Sequence, residues 1–337
     1  MPEKRTPWVT AFEVARRAGV SRSAVSRAFT PGASIAPETR ERVMKAANAM
    51  GYQVNMIARE MISQRSSLVG VVTAGFDNPF RTKLLSNLTT ALVRNNLSPL
   101  VMNAEEPAQI KRSLEMLLSY RIAGVIMTSA SPPLDLARQY LKLKVPVTMI
   151  NRTPELDGTD VVISDNPAGA TLAARLLRDA GVKRPAFVGP SLTSYNGRAR
   201  LDAFIQAVGD MPGMKTPMQL NTPTDDYASG IEAALDLLAR ADRPDGVFCS
   251  SDLLALGLID AARNRFNLRV PEDLTVVGYD DIPAAAYENY RLTTIQQDTS
   301  QLADVAVSLL IERMNAFRGK SRVRVVPVSS VVRHTCA

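Results

Sequence analysis

Apolar and polar positions follow a helical spacing over the first fifty residues and a different rhythm afterwards. Thr10 precedes Ala11, Phe12 and Glu13, the arrangement in which a threonine hydroxyl and a glutamate carboxylate each satisfy an orphan backbone N–H of a first helical turn. A helix is predicted from there through Val14, Ala15 and Ala18 to Gly19, a residue that takes a left-handed turn without steric cost. Ser21 caps a second helix, whose Ala24, Val25, Ala28 and Phe29 form one small apolar stripe. Arg22, Ser23, Ser26 and Arg27 are left on the other face. Pro37 opens a third helix, which carries Val43, Ala46, Ala47 and Met50 inward before Gly51. Helix, short turn with glycine, helix is the helix-turn-helix plan, in which the second helix enters the major groove of DNA.

From residue 66 the rhythm becomes that of short apolar runs: LVGVV (68–72), PLVM (99–102), GVIM (124–127), VPVTMI (145–150), VVIS (161–164), PAFVG (185–189), GVFCS (246–250) and LTVVGY (274–279). Helical stretches of ten or more residues lie between most of them, at 80–95, 107–120, 134–143, 168–180, 196–208, 226–240 and 252–264. Strands separated by helices imply parallel pairing with right-handed crossovers. The predicted fold is a small all-α head followed by an α/β body, doubly wound and, by its size, of two such units.

The chain has 337 residues, 46% of them hydrophobic and 22% charged, which suits a globular protein of two or three domains. Dividing the net charge of +7 is more informative than its total. Residues 1–65 hold eleven basic and five acidic side chains, a balance of +6, whereas the remainder holds 29 and 28. A basic head on a neutral body is the footprint of a polyanion-binding module attached to something that need not bind polyanions. Only two cysteines, Cys249 and Cys336, and one histidine, His334, are present. These counts argue against a disulfide framework, a His/Cys zinc site and catalysis by a histidine base. No cofactor or metal is expected. No run of about 18 apolar residues occurs and MPEKRTPW lacks a secretory signal, so a cytoplasmic protein without membrane contact is expected. The glycine motifs of dinucleotide and nucleoside triphosphate binding and the G-x-S-x-G nucleophile elbow are missing as well.

The string VTAFEVARRAGVSRSAVSRAFTPGASIAPETRERVMKAANAMGY (9–52) resembles the head of the LacI/GalR (lac repressor/galactose repressor) family of transcription regulators, and YQVNMIARE (52–60) is similar to that family's hinge. The resemblance implies a DNA-binding domain at 1–52 and a hinge helix and linker at 53–65. It places base selection on the residues after the cap serine of helix two, here Arg22 and Ser23. Arginine can read guanine with two parallel hydrogen bonds. Arg27, one turn on, reads a base or touches a phosphate. Ser21 and Ser26 cap and contact phosphate, and Thr10, Asn55 and Arg59 complete the DNA-binding set. Arg16 and Arg17 add only nonspecific attraction. Met61 stands where relatives have a leucine wedge for the minor groove, and Val54 where they have proline. Met61 either unstacks a base step or, with Met56, Ile57 and Ile62, packs against a partner's hinge.

The body carries further strings similar to the family and to periplasmic sugar-binding proteins: DNPF (77–80), SDNPAGATLA (164–173), GRARLDAF (197–204), SSDLLALG (250–257), VPEDLTVVGYDDIP (270–283) and LTTIQQD (292–298). The resemblance implies an effector-binding and dimerisation domain at 66–337 with a cleft between two subdomains, 66–163 with 294–322 and 165–291 with 324–337. Chain crossings fall near 163–166, 291–295 and 322–325. Arg198, Asp280 and Gln297 match effector-binding positions, Asp165 and Asn166 sit at a crossover, and Phe80 supplies an apolar wall. Each has a plainer alternative: Asp280 caps a turn, Gln297 bridges the subdomains, Arg198 pairs with Asp202. Ser251 replaces the family's asparagine before Asp252, and Arg81 replaces an aromatic after Phe80. Arg81, with Arg198 and Arg152, selects an anionic group on the ligand or is simply a solvated arginine. The resemblance implies a non-enzymatic regulator, a repressor, that binds a near-palindromic double-stranded operator and answers to a sugar-like effector. A homodimer is expected, since no heptad helix follows the last strand. An enzyme of sugar metabolism and a transport binding protein are the competing classes, disfavoured by the head.

Overall fold

The computed structural model describes residues 8–30, 32–54, 66–104, 107–128, 134–152, 156–192, 194–317 and 319–336. The chain divides into two units, Met1–Ser66 and Ser67–Ala337.

In the first unit α1 spans Ala11–Ala18, α2 Arg22–Ala28 and α3 Pro37–Met50. The capping box forms: the Glu13 N–H donates to Thr10 Oγ1 at 3.3 Å, and the Thr10 N–H to Glu13 Oε2 at 2.7 Å. Gly19 and Gly51 close α1 and α3 with φ of 65° and 66°, values that a side chain would strain. Val14, Ala15, Val25, Ala28, Val43, Ala46 and Ala47 make the small core. Arg40 belongs to the basic excess yet works inside the domain: its guanidinium donates to the carbonyls of Ala28 at 2.9 Å and Ala33 at 3.3 Å, satisfying the end of α2 and the turn beyond it.

The body runs β1 (Leu68–Thr73), α4 (Pro79–Arg94), β2 (Ser98–Asn103), α5 (Pro107–Ser119), β3 (Gly124–Met127), α6 (Leu134–Lys142), β4 (Val147–Ile150), β5 (Asp160–Ser164), α7 (Asn166–Asp179), β6 (Pro185–Gly189), α8 (Tyr195–Gly209), β7 (Met218–Asn221), α9 (Tyr227–Leu238), β8 (Gly246–Cys249), α10 (Asp252–Phe266), β9 (Thr275–Asp280), β10 (Thr293–Gln297), α11 (Thr299–Asn315), β11 (Val323–Val326) and β12 (Val328–Val331). The first sheet has the order β11-β5-β4-β3-β1-β2 and is parallel throughout. The second has the order β12-β10-β9-β8-β6-β7, parallel except where β12 runs against β10.

This pairing corrects the expected subdomain limits. Residues 294–297 belong to the second sheet, because Thr293–Gln296 of β10 pair with Val277–Asp280 of β9, so the chain crosses after Gln297 and not near 291–295. Val323–Val326 pair with Val161–Ser164 in the first sheet, which moves the last crossing from 322–325 to Pro327. Periodicity marks a strand but is silent on which sheet it joins, since that depends on distant hydrogen-bond partners.

Helix α11 returns to the first sheet and packs Leu302, Ala306 and Leu310 with Leu84 and Leu88 of α4 over Val69 and Ile126. In the second subdomain α9 and α10 approach until glycine is required. A Cβ on Gly230 would lie 2.2 Å from the Leu254 carbonyl oxygen, and one on Gly257 2.1 Å from that of Tyr227.

An ion cluster pins the return path of α11. Asp160, at 0% exposure, takes Arg313 at 2.5 Å and Arg322 at 2.7 Å. Burial pushes its carboxyl upward, but the hydrogen bonds from Arg322 and Arg313 outweigh burial and hold it below the ordinary carboxylate range. A depressed folded pKa stabilises fully above the unfolded value, and the contribution disappears as pH falls through the folded one. Asp160→Asn should therefore cost about 3–5 kcal/mol at neutral pH, by stranding a buried guanidinium, and should weaken the acid limb of the stability profile. Urea denaturation of both proteins between pH 7 and pH 3 checks this; equal stability at pH 7 would contradict it.

Candidate functional site

Two polar surfaces are built on these frames. In the head, Arg22, Ser23, Ser26 and Arg27 are all exposed on the face of α2 opposite its buried Ala24, Val25 and Ala28. Ser21 Oγ accepts from the Ala24 N–H at 3.2 Å and lies 2.8 Å from Ser23 Oγ, so its first task is the cap. The Ser26 carbonyl accepts from Thr30 Oγ1 at 2.9 Å. Thr10 is exposed, its hydroxyl donating to Glu13 at 2.8 Å. A helix N-terminus flanked by serines and arginines offers N–H groups and positive charge to phosphate, and side chains to base edges. Asn55, Arg59 and Met61, with Met56, Ile57 and Ile62, lie outside the described residues.

In the body a cavity is lined by Asn78, Phe80 and Arg81 after β1, Thr128 after β3, Asn151 after β4, Ser194, Asn196 and Arg200 after β6, Asp225 after β7, Ser250 after β8, Asp280 at the end of β9 and Gln297 at the end of β10. All follow the carboxyl ends of strands, where open α/β sheets present their loops to ligands.

Arg200 is the most firmly held of these. Its Nε donates to Asn166 Oδ1 at 2.8 Å, its Nη1 to the Ser250 carbonyl at 2.5 Å, and its guanidinium lies 3.5 Å from the centre of the Tyr279 ring. It is only 6% exposed. Arg198, expected in this role, does not line the cavity: it is 57% exposed and pairs with Asp202 at 3.3 Å. Two residues along a helix amount to about 200° of rotation, so the two arginines of GRARLDAF face opposite ways. The inward stripe Gly197, Arg200, Leu201, Phe204, Val208 was available as a signal for Arg200.

Asp280 has a φ of 121°, and its Oδ1 accepts from Gln297 Nε2 at 2.6 Å. Burial pushes its carboxyl well above the usual range. Gln297 Oε1 accepts from Ser164 Oγ at 2.5 Å and Asn151 Nδ2 at 3.4 Å, so this side chain joins both sheets while lining the cavity. Phe80 packs against the apolar cores on both sides. Arg81, from the first subdomain, lies 3.9 Å from Asp225 of the second.

The remaining expected positions stand behind the cavity. Asp165 caps α7 through the Ala168 N–H at 3.0 Å, and Asn166 orients Arg200. Ser251 caps α10 and donates to the Asp225 carbonyl at 3.1 Å, steadying that loop. Asp252 beneath it is fully buried, accepting from Thr294 Oγ1 at 2.5 Å and the Ile282 N–H at 2.8 Å; burial pushes its carboxyl up to about 6. Arg152 is not in the lining. Asn78, Thr128, Asn151, Asn196 and Asp225 are lining residues that the sequence patterns do not single out. Among the described residues no group of three or more His, Cys, Asp or Glu is placed to hold a metal, and no helix is long and apolar enough to cross a membrane.

A helix-turn-helix head in one chain with a two-sheet body that offers a polar cleft defines the class of ligand-responsive DNA-binding regulators. Residues 10–55 match the model of bacterial regulatory proteins, lacI family, and residues 174–336 that of a periplasmic binding protein-like domain. The HTH-type transcriptional repressor PurR of Mannheimia succiniciproducens is 30% identical over 308 residues, 90% of this chain and 92% of that protein. The solved lac repressor dimer bound to operator and the anti-inducer ONPF shares the fold, with a TM-score of 0.88 at 24% identity over 98% of this chain and 99% of that one. The transcriptional regulator CelR–cellobiose complex has a TM-score of 0.72 at 26% identity, over 97% and 99% of the two chains. The chain belongs to the LacI family of bacterial regulatory proteins, a family of transcriptional regulators and not of enzymes.

The contrast between the two arginines is testable. Arg198→Ala should change stability by less than about 0.5 kcal/mol, as expected for an exposed ion pair, and leave ligand binding intact. Arg200→Met should abolish ligand binding, because it removes the charge fixed between Asn166 and Ser250. Calorimetry on both variants decides between them; a binding loss confined to Arg198→Ala would reverse the assignment.

Proposed function

We propose that the chain is a cytoplasmic transcriptional repressor that binds a near-palindromic operator as a homodimer and changes its operator affinity when a sugar-like molecule occupies the cleft. The observation that carries this reading is the polar lining at the carboxyl ends of both sheets, in the same chain as an exposed Arg22–Ser23–Arg27 face on α2. Arg200, Asp280 and Gln297 provide the donors and acceptors suited to vicinal hydroxyls, and Phe80 an apolar wall for a ring face. A relative bearing the name repressor and a structural neighbour holding cellobiose support the two halves. A two-fold dimer presents two copies of α2, so its symmetry carries over to the operator. By the resemblance of the hinge, Asn55, Arg59 and Met61 join the DNA-facing set with Thr10, Ser21 and Ser26.

Operator binding can be dissected by residue. Arg22→Ala should cost about 1–3 kcal/mol and relax preference at one operator position, whereas Arg16→Ala should weaken all sequences evenly and lower the salt slope by about one. A competition between operator variants reads both. Equal losses across every variant for Arg22→Ala would remove it from the base-reading set.

A further inference from the structure

Four charged side chains line the cavity: Arg81, Arg200, Asp225 and Asp280. Three of them are committed or quieted. Arg200 is locked in place through Nε on Asn166, Nη1 on the Ser250 carbonyl and the Tyr279 ring, which fixes it for orienting hydroxyls. Asp280 accepts from Gln297, and desolvation favours its protonated form in spite of that hydrogen bond, which favours the charged one. Asp225 is partly exposed, with its carboxylate 3.9 Å from Arg81, a distance too long for a hydrogen bond. Arg81 is different. Among the described residues its guanidinium donates no hydrogen bond to another side chain, and its one charged neighbour is that distant carboxylate. It also has a built seat: Gly75, at a φ of +68°, leaves room for the guanidinium where a Cβ would lie 2.5 Å from Nη1. The Arg81 N–H meets Asn78 Oδ1 at 3.2 Å in the cap of α4, which fixes the base of the side chain.

A guanidinium with open donors on the wall of a partly enclosed cavity is suited to an oxyanion, which it can hold through two parallel charge-assisted bonds. We propose that the molecule the cleft takes is an acidic polyol, a sugar carboxylate or sugar phosphate, whose anionic group displaces Asp225 from Arg81 while its hydroxyls meet Arg200, Asp280 and Gln297. This inference rests on the sugar-binding reading above and narrows its ligand class. Asp225 is able to turn to solvent because it is already partly exposed, whereas a neutral sugar would leave the loose Arg81–Asp225 pair in place and gain nothing from it.

Titration calorimetry on the full chain tests the assignment at matched ionic strength. D-glucuronate, D-galacturonate, D-gluconate and D-glucose 6-phosphate are compared with D-glucose and D-galactose, using the native protein and Arg81→Gln, with melting temperatures confirming that the variant is folded. At least one acid should bind roughly tenfold or more tighter than its neutral parent, with affinity falling as salt rises. Arg81→Gln should remove that advantage, so that the acid binds no tighter than its neutral parent. The carboxylate and phosphate arms separate a planar from a tetrahedral anion. A neutral sugar bound as tightly as its acid, with binding lost in Arg200→Met, would overturn this inference while sustaining the sugar reading. Binding of neither kind would overturn both. Should Arg81→Gln fail to fold, the native protein's preference and salt dependence still decide, since an acid bound no tighter than its parent contradicts the proposal.

Discussion

The body depends on one amide. Gln297 ends the strand after which the chain leaves the second sheet, and its two polar atoms serve different subdomains. Oε1 accepts from Ser164 and Asn151 of the first, and Nε2 donates to Asp280 of the second. Leaving such a buried group without partners costs about 1–3 kcal/mol, so the two sheets cannot part without a penalty at this point. Among the described residues the Asn196 amide also donates to the Asn151 carbonyl at 3.3 Å, Phe80 packs on both cores, and Arg81 faces Asp225 at 3.9 Å. A ligand shifts a conformational equilibrium only by its different affinity for the two states, and these contacts are where that difference can be made.

The two walls of the cavity are unequal in rigidity. On the second sheet, Asp252 ties α10 to β10 and to the segment after β9 through Thr294 and the Ile282 N–H. Gly278 leaves space for that carboxylate, since a Cβ there would lie 2.2 Å from its Oδ1. Ser251 steadies the loop of Asp225, and Asn166 with Tyr279 steadies Arg200. On the first sheet Arg81 is held by its backbone, the seat at Gly75 and the loose pair with Asp225. A fixed polar wall supplies orientation at little entropic cost, and an adaptable arginine opposite supplies charge.

Local structure was legible to the residue in the head, because caps, small-residue stripes and glycine stops are local chemistry. Thr10–Glu13, Ser21, Pro37, Gly19 and Gly51 mark the helices where they stand. In the body the apolar runs mark β1–β6, β8 and β9 and the helical stretches α4–α10, whereas β7 (MQLN), β10 (TTIQQ) and α11 escape them, the two strands because at least half of their residues are polar. What the pattern could not carry was partner choice across distance. The sheet to which β10 and β11 belong follows from their pairing with β9 and β5, which no local window contains. The cleft shows the same division. Phe80, Arg81, Asp280 and Gln297 follow recognisable strings, but GRARLDAF holds two arginines and only the helix face it forms, with Gly197, Arg200, Leu201 and Phe204 inward, tells Arg200 from Arg198. Asn151 and Asn196 come together only through the fold.

In the proposed function the cleft and the α2 face are energetically coupled, and coupling between two binding events is reciprocal. The most direct measurement is the dissociation constant of a cleft ligand, taken by calorimetry on the full chain with and without saturating operator DNA, beside the operator dissociation constant with and without that ligand. Both constants should shift by the same factor, on the order of tenfold or more. A ligand that binds the cleft with one affinity whether or not operator is present would contradict it.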